Sequence, residues 1–181
     1  MFDFLTGVVG LVYFVSISVA TRQHFRSDRY PLGMYVISAL SLAGLGTFLG
    51  LAFRGELVFA GLSLALVGAA QGLFVWAVRH SRNRNLTLAM DTEMQSETII
   101  RTGPWRYMRH PFYASYMIFW LACALATQHI ISVIVFLTLS AIYTYAALRE
   151  ERVLSSGPLR KDYIEYRETV GIFYPRLPLR G

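Results

Sequence analysis

Gly103-Pro104-Trp105-Arg106-Tyr107-Met108-Arg109-His110-Pro111-Phe112-Tyr113 sets arginines, a histidine, aromatic rings and two prolines in one short run. An apolar segment, residues 112–127, follows directly. Polar chemistry therefore stands at the mouth of something greasy, and the kind of protein follows from what surrounds it.

The chain of 181 residues is 55% hydrophobic, with mean hydropathy +0.44 and 15% charged residues. Soluble domains carry charge at about 25% of positions, so the apolar excess faces something other than water. Its apolar blocks approach the ~20 residues that a helix needs to cross ~30 Å of hydrocarbon, where irregular backbone is costly. The expected fold is all-α: one polytopic membrane domain, 1–181, with about five transmembrane helices. The lone Cys123 lies inside a block, which excludes disulfides and a cysteine-built metal site; no metal is expected.

The spans read at about 2–20, 32–53, 57–78, 112–127 and 130–148, the fourth being short for a full crossing. The first lacks the basic start and small-residue cleavage site of a secretory signal, beginning instead with Asp3 and ending in Thr21-Arg22-Gln23-His24, so it is expected to be retained. Pro31 opens the second. Arg54-Gly55-Glu56 makes the second and third a tight antiparallel hairpin, and Gln128-His129 does the same for the last two. Gly46/Gly50 and Gly68/Gly72 have the small-residue spacing that lets membrane helices approach, and are read as internal packing.

Five crossings place residues 21–31, the connector 79–111 and the tail 149–181 on one side. These segments hold three, six and seven Lys and Arg, sixteen of the seventeen in the chain, leaving Arg54 on the other side. By the positive-inside rule they are cytoplasmic, with the N-terminus outside and the C-terminus inside. The same bias accounts for the net charge of +6 without nucleic acid, and favours contact with anionic membrane lipids.

On the cytoplasmic side, Pro104 and Pro111 constrain the backbone before and at the start of the fourth span. Its N-terminus, with free amides and the positive end of the helix dipole, sits beside Arg109 and His110 and makes an anion site. The plainer alternative is that Arg106 and Arg109 anchor the helix at the headgroups while Trp105, Tyr107 and Tyr113 form an interfacial belt. The hairpin returns Glu150 and Glu151 to the same side. Two carboxylates near a helix C-terminus oppose its dipole and repel each other, so they call for a cation; Arg149 and Arg152 are the local partners. Arg109, His110 and Tyr113 against Glu150 and Glu151 give a cationic and an anionic lip, suited to a zwitterion with an aromatic body.

Thr102 to Tyr113, a helical hairpin, Glu150-Glu151, Tyr163-x-x-Tyr166 and Tyr174-Pro175-Arg176 together resemble the isoprenylcysteine carboxyl methyltransferase and phospholipid methyltransferase superfamily of membrane enzymes. The resemblance covers roughly 72–178. It implies S-adenosylmethionine held at the cytoplasmic face between the last two spans and the tail. By position, Arg109, His110 and Tyr113 would take the methionine end, Glu150 and Glu151 the amino or ribose groups, and Tyr163 and Tyr166 would help fold the tail over. A lipophilic or prenylated acceptor would enter from the bilayer. Catalytic candidates are Arg149 and Glu150. Two positions depart from the pattern. Ala114-Ser115 stand where the family has a small residue and glycine. Ala146 stands where carboxyl-methylating members carry an arginine, which speaks against a prenylcysteine acceptor.

Two other expectations compete. A haem protein would draw ligands from His24, His80, His110 and His129. A non-catalytic membrane scaffold of the same fold would bind no cofactor. The acceptor, the atom methylated and the oligomeric state are open at the level of sequence.

Overall fold

The computed structural model describes residues 1–26, 32–81, 86–87 and 99–176. Arg29, Pro31, Arg82, Arg84 and Arg180 lie outside the described residues, as do the side chains of Arg22, His24 and Arg26. Among the described residues are six α-helices: α1 (Phe2–His24), α2 (Leu32–Arg54), α3 (Ala60–Ser81), α4 (Pro111–Thr127), α5 (Ile130–Ser156) and α6 (Arg160–Thr169). A 3-10 turn, Gly103–Arg106, precedes α4. Phe25–Arg26 pairs in parallel with Leu86–Thr87, tying the end of α1 to the connector.

Four of these helices, α1, α2, α3 and α5, are long and apolar enough to cross a membrane. Phe4, Val12, Leu42, Leu62, Ile134 and Leu137 are exposed on their outer faces. Such a continuous apolar surface is at home in lipid rather than water, and the chain is an integral membrane protein built as an all-helical bundle.

At 17 residues, α4 rises only about 25 Å. Its position compensates for its length: α2, α3 and α5 pack around it, Tyr13 of α1 reaches its Ser115 and Phe119, and nearly its whole circumference is buried. An apolar helix enclosed by others need not match the bilayer.

Buried hydroxyls fasten the helices to one another, the expected glue where water offers no alternative partner. Thr6 donates to the Ala60 carbonyl (3.2 Å), Ser63 to the Ala122 carbonyl (3.1 Å) and Tyr13 to Ser115 Oγ (3.2 Å). Ser115, one of the two positions that depart from the family pattern, is thus turned to α1.

Three expectations need correction. The third helix begins at Ala60 rather than 57. Leu57 N donates to Asp3 Oδ2 (3.1 Å) and Val58 N to the Ala126 carbonyl (2.8 Å), which hold this stretch in an extended link after Gly55, itself at φ 74°. The internal-packing role of Gly46, Gly50, Gly68 and Gly72 is not seen: a Cβ on any of them would meet open space. Close approach occurs at Gly10, against Phe48, and at Gly44, against Trp120 and Val135. Finally, α5 runs past 148 to Ser156. Its last turns, rich in Arg, Glu and Leu, are good helix formers even though they are charged. Glu150 and Glu151 therefore sit on regular helix that projects beyond the apolar stretch.

Candidate functional site

The opening run folds into an entry structure for α4. Gly103 adopts φ 61°, and a Cβ there would overlap the His80 ring. Trp105 is buried edge-on against Phe112 (5.7 Å), so it belongs to the core rather than to an interfacial belt. Tyr107, beside Trp76 (5.9 Å), and Arg106 are exposed. Pro111 occupies the first turn of α4 with His110 at the N-cap.

The tail crosses this entry. Arg109 N donates to the Gly171 carbonyl (2.8 Å) and His110 N to the Ile172 carbonyl (3.1 Å). The amides foreseen as an anion site are thus occupied by tail carbonyls at these two positions, and Pro111 has none to offer. Phe173 lies against the His110 ring at 6.1 Å. Tyr166 fixes α6 to the entry by donating to the Trp105 carbonyl (2.6 Å).

The two lips expected from the sequence meet one another. Arg109 Nε donates to Glu151 Oε1 (2.8 Å), and its Nη1 to the carbonyls of Val170 and Arg167. His110 bridges the two carboxylates, with Nε2 3.2 Å from Glu151 Oε1 and Nδ1 3.5 Å from Glu150 Oε2. Tyr113 donates to Glu150 Oε1. Arg167, not singled out by sequence, lies 4.0 Å from Glu151 Oε2. The Arg109 and Glu151 side chains are only 10% and 6% exposed. At that burial an unpaired charge costs several kcal/mol, and Glu151 is neutralised across the hairpin by Arg109 and His110.

The electrostatics follow from this closure. Burial alone depresses the His110 pKa, but hydrogen bonds and charge from Glu150 and Glu151 outweigh it, and the net shift is upward. Burial alone would raise the Glu151 carboxyl; His110 and Arg109 overcome it and bring it down to about 2. Arginine, imidazolium and carboxylate are mutually stabilised in their charged forms.

Beneath the ion pairs an aromatic column runs into the bundle. His110 stacks on Tyr113 (5.7 Å), Tyr113 on Tyr143 (5.7 Å), and Tyr116 leans on Tyr143 (5.4 Å). Tyr143 and Tyr116 are not among the site residues expected from the sequence. Tyr143 lies seven positions before Glu150, two helical turns on the same face, and that spacing was the available signal. Ala146, between them, is buried. Arg149 is partly exposed on a different face of α5.

Among the described residues, five buried side-chain atoms lack a hydrogen-bond partner: Gln71 Oε1, Ser132 Oγ and Ser140 Oγ within the bundle, and Ser155 Oγ and Tyr163 Oη, the last in a residue only 2% exposed, at the elbow between α5 and α6. Burial, and then the neighbouring Glu151 carboxylate, push the Tyr163 pKa up. Buried polar atoms normally find a partner, and of the five only Ser155 Oγ and Tyr163 Oη lie at the end of the bundle that holds the Arg109–Glu151 pair. Of the histidines named as haem ligands, His110 is committed to the glutamates and His80 Nδ1 to the Trp76 carbonyl (3.0 Å). His129 caps α5 at the opposite end of the bundle.

The model of the phospholipid methyltransferase family matches residues 57–157, from the link before α3 to the end of α5. The match takes in Arg109, His110, Tyr113, Glu150 and Glu151 and stops short of Tyr163 and Tyr166. No curated protein matches the chain.

Proposed function

The chain belongs to the phospholipid methyltransferase family, within the superfamily of membrane methyltransferases, and on that premise we propose that it transfers a methyl group from S-adenosylmethionine to a lipophilic acceptor. The observation that carries this reading is the convergence of Arg109, His110, Tyr113, Glu150 and Glu151 at one end of the bundle, directly above an aromatic column.

Arg109, His110, Tyr113, Glu150, Glu151, Tyr163 and Tyr166 would form the walls of the cofactor site, with Arg149 and Glu150 nearest the chemistry. The unpartnered hydroxyls of Tyr163 and Ser155 fit a ligand bearing amino, carboxylate and hydroxyl groups. Bound there, S-adenosylmethionine supplies an electrophilic methyl group. The protein's part is orientation and electrostatic fit. Arg109 and His110 hold Glu151 in place, Glu151 and the tail carbonyls hold Arg109, and Phe173 leans on the imidazole. The acceptor enters from the bilayer, and the site faces the cytoplasm with the C-terminus.

Calorimetric titration of the purified chain in detergent with S-adenosylmethionine tests this. Saturable binding, weakened at least about tenfold (~1.4 kcal/mol) by His110→Ala, is expected. A folded wild-type chain that does not bind would sink the methyltransferase reading and leave a scaffold in its place.

A further inference from the structure

Where α3 leaves its apolar stretch, the fold gathers a second set of aromatic and basic side chains that the Arg109–Glu151 site does not use. Leu62, Ala69 and Trp76 recur every seven residues and share one outward face of α3. The first two are apolar and exposed, and Trp76, 39% exposed, closes that face at the end where the site lies. The turn Gly103–Arg106 is seated against the same end of α3. A Cβ on Gly103 would overlap the His80 ring, so glycine is what lets the turn come this close. The result is an exposed group of rings, His80 edge-on to Trp76 at 6.2 Å and Tyr107 tilted on Trp76 at 5.9 Å.

Two arginines flank these rings. Arg79 follows Trp76 by about one turn of α3, Arg106 adjoins Tyr107, and both are exposed. Among the described residues neither side chain has an ion pair or a hydrogen bond. Other arginines at this end are committed: Arg101 to the Asp162 carbonyl (2.7 Å), Arg109 and Arg167 to Glu151, and Arg176 to carbonyls of α6. Apolar surface, then indole and phenol, then guanidinium is also the order in which a phospholipid presents its acyl chains, its interfacial region and its phosphate. The planar guanidinium fork matches a phosphate. With no carboxylate beside these arginines among the described residues, a headgroup of net negative charge is preferred to a zwitterionic one, whose ammonium would meet like charge.

We propose that Trp76, Arg79, His80, Arg106 and Tyr107 form a binding site for an anionic phospholipid of the membrane in which the bundle sits, distinct from the methyl-transfer site and independent of that reading. Arg79 and Arg106 take the phosphate, the Trp76 indole and the Tyr107 phenol stand at the interfacial region, and the acyl chains run along the Leu62–Ala69 face. Tyr107 leads through Met108 directly to Arg109 and His110. A bound headgroup therefore also braces the turn from which those two side chains project.

The chain carries its own reporter. Of its three tryptophans, Trp105 and Trp120 are buried, so a quencher carried on an acyl chain reaches Trp76 first. The full chain is reconstituted in phosphatidylcholine vesicles, and its tryptophan fluorescence is titrated with phosphatidylglycerol or phosphatidylcholine brominated on the acyl chain. Phosphatidylglycerol is expected to quench at lower mole fraction, its relative affinity raised about fivefold by each arginine, as for a cation near an anionic surface. Arg79→Gln and Arg106→Gln should each lower the preference by about that factor, and the double variant should level the two lipids. Each single variant reports alone should the double variant fail to fold. Arg152→Gln with Arg160→Gln, which removes exposed cations of α5 and α6, should leave the preference intact, and Trp76→Phe should abolish the selective quenching. Equal quenching of the wild type by the two lipids would reduce the group to an unselective belt and overturn the proposal, as would an undiminished preference in both Arg79→Gln and Arg106→Gln. A loss in Arg152→Gln/Arg160→Gln as large as that in the double variant at Arg79 and Arg106 would put bulk charge in place of a site. Relief of the quenching by inorganic phosphate in the water phase would also overturn it, by making the site one for free anions.

Discussion

Glu151 is the residue whose loss the site tolerates least. Its carboxylate satisfies the buried Arg109 guanidinium at 2.8 Å and His110 at 3.2 Å. Removing one partner of a buried pair strands the other, at about 3–5 kcal/mol. Glu151→Leu and Arg109→Met should each lower the thermal midpoint in detergent sharply. The double variant should lose far less than the sum, because neither charge is then left behind; strict additivity would show that the pair does not act as a unit. The pH dependence has two limbs of opposite sign. The His110 pKa is raised above 6.5, so its contribution is fully present below pH 6.5 and fades as pH climbs through the raised value. The Glu151 pKa is lowered from 4.5 to about 2, so its contribution is fully present above pH 4.5 and fades as pH falls towards 2. The stability difference between wild type and His110→Gln should therefore shrink on the alkaline side, and that between wild type and Glu151→Gln on the acid side. Melting curves across pH that show the reverse order would refute the assignment. The pairing of these residues was foreshadowed by their spacing around the hairpin. That they close on one another was not, because closure depends on burial.

At the level of elements, glycine shows where pattern and packing diverge. Gly46, Gly50, Gly68 and Gly72 have a recognisable spacing yet face open space, whereas Gly44, outside any such pair, lies where a Cβ would come within 2.8 Å of both Trp120 and Val135. Gly44→Ala should destabilise the bundle by about 1–3 kcal/mol through overpacking. Gly46→Ala and Gly68→Ala should be neutral or stabilising by up to about 1 kcal/mol from helix propensity. Chemical unfolding in mixed detergent compares them directly, and an equal loss at all three positions would contradict the packing described. The apolar blocks themselves were legible because length and hydropathy are local properties. The end of α5 was not, since a charged sequence such as Arg149-Glu150-Glu151-Arg152 reads equally as loop or as helix. The tail was least legible. Its place is set by backbone pairing of Met108–His110 with Gly171–Ile172, and backbone pairing leaves little trace in side-chain pattern. Gly171 is the exception: a Cβ there would run into the Tyr174 carbonyl oxygen. Backbone cannot step aside as a flexible side chain can, so Gly171→Ala should release the tail at a cost of about 1–3 kcal/mol. Faster tryptic cleavage after Arg167 and Arg176 than in wild type would report it.

For the whole molecule, the bundle has two chemically unlike ends. One gathers the start of α1, the α2–α3 link and the α4–α5 turn, joined through Asp3, Leu57, Val58 and Ala126. Among the described residues its only Lys or Arg is Arg54, whereas Arg79, Arg101, Arg106, Arg109, Arg149, Arg152, Arg160, Lys161, Arg167 and Arg176 stand at or beyond the other end. Basic residues are held back from translocation, so the bundle should insert with Asp3 and Glu56 outside and the Arg109–Glu151 site in the cytoplasm. The chain is well suited to testing this, because its single cysteine, Cys123, is buried at the centre of the bundle with 1% exposure. A membrane-impermeant maleimide should leave the wild type unlabelled in intact cells. Glu56→Cys, on the exposed α2–α3 link, should label without lysis, whereas Arg160→Cys, on the exposed start of α6, should label only after it. The opposite pattern would place the site on the outer face, where cellular S-adenosylmethionine does not reach it, and would remove the cofactor reading along with the orientation. Labelling of both without lysis would mean that an even number of crossings separates the α2–α3 link from α6, as it would if the short α4 failed to cross while α3 and α5 did.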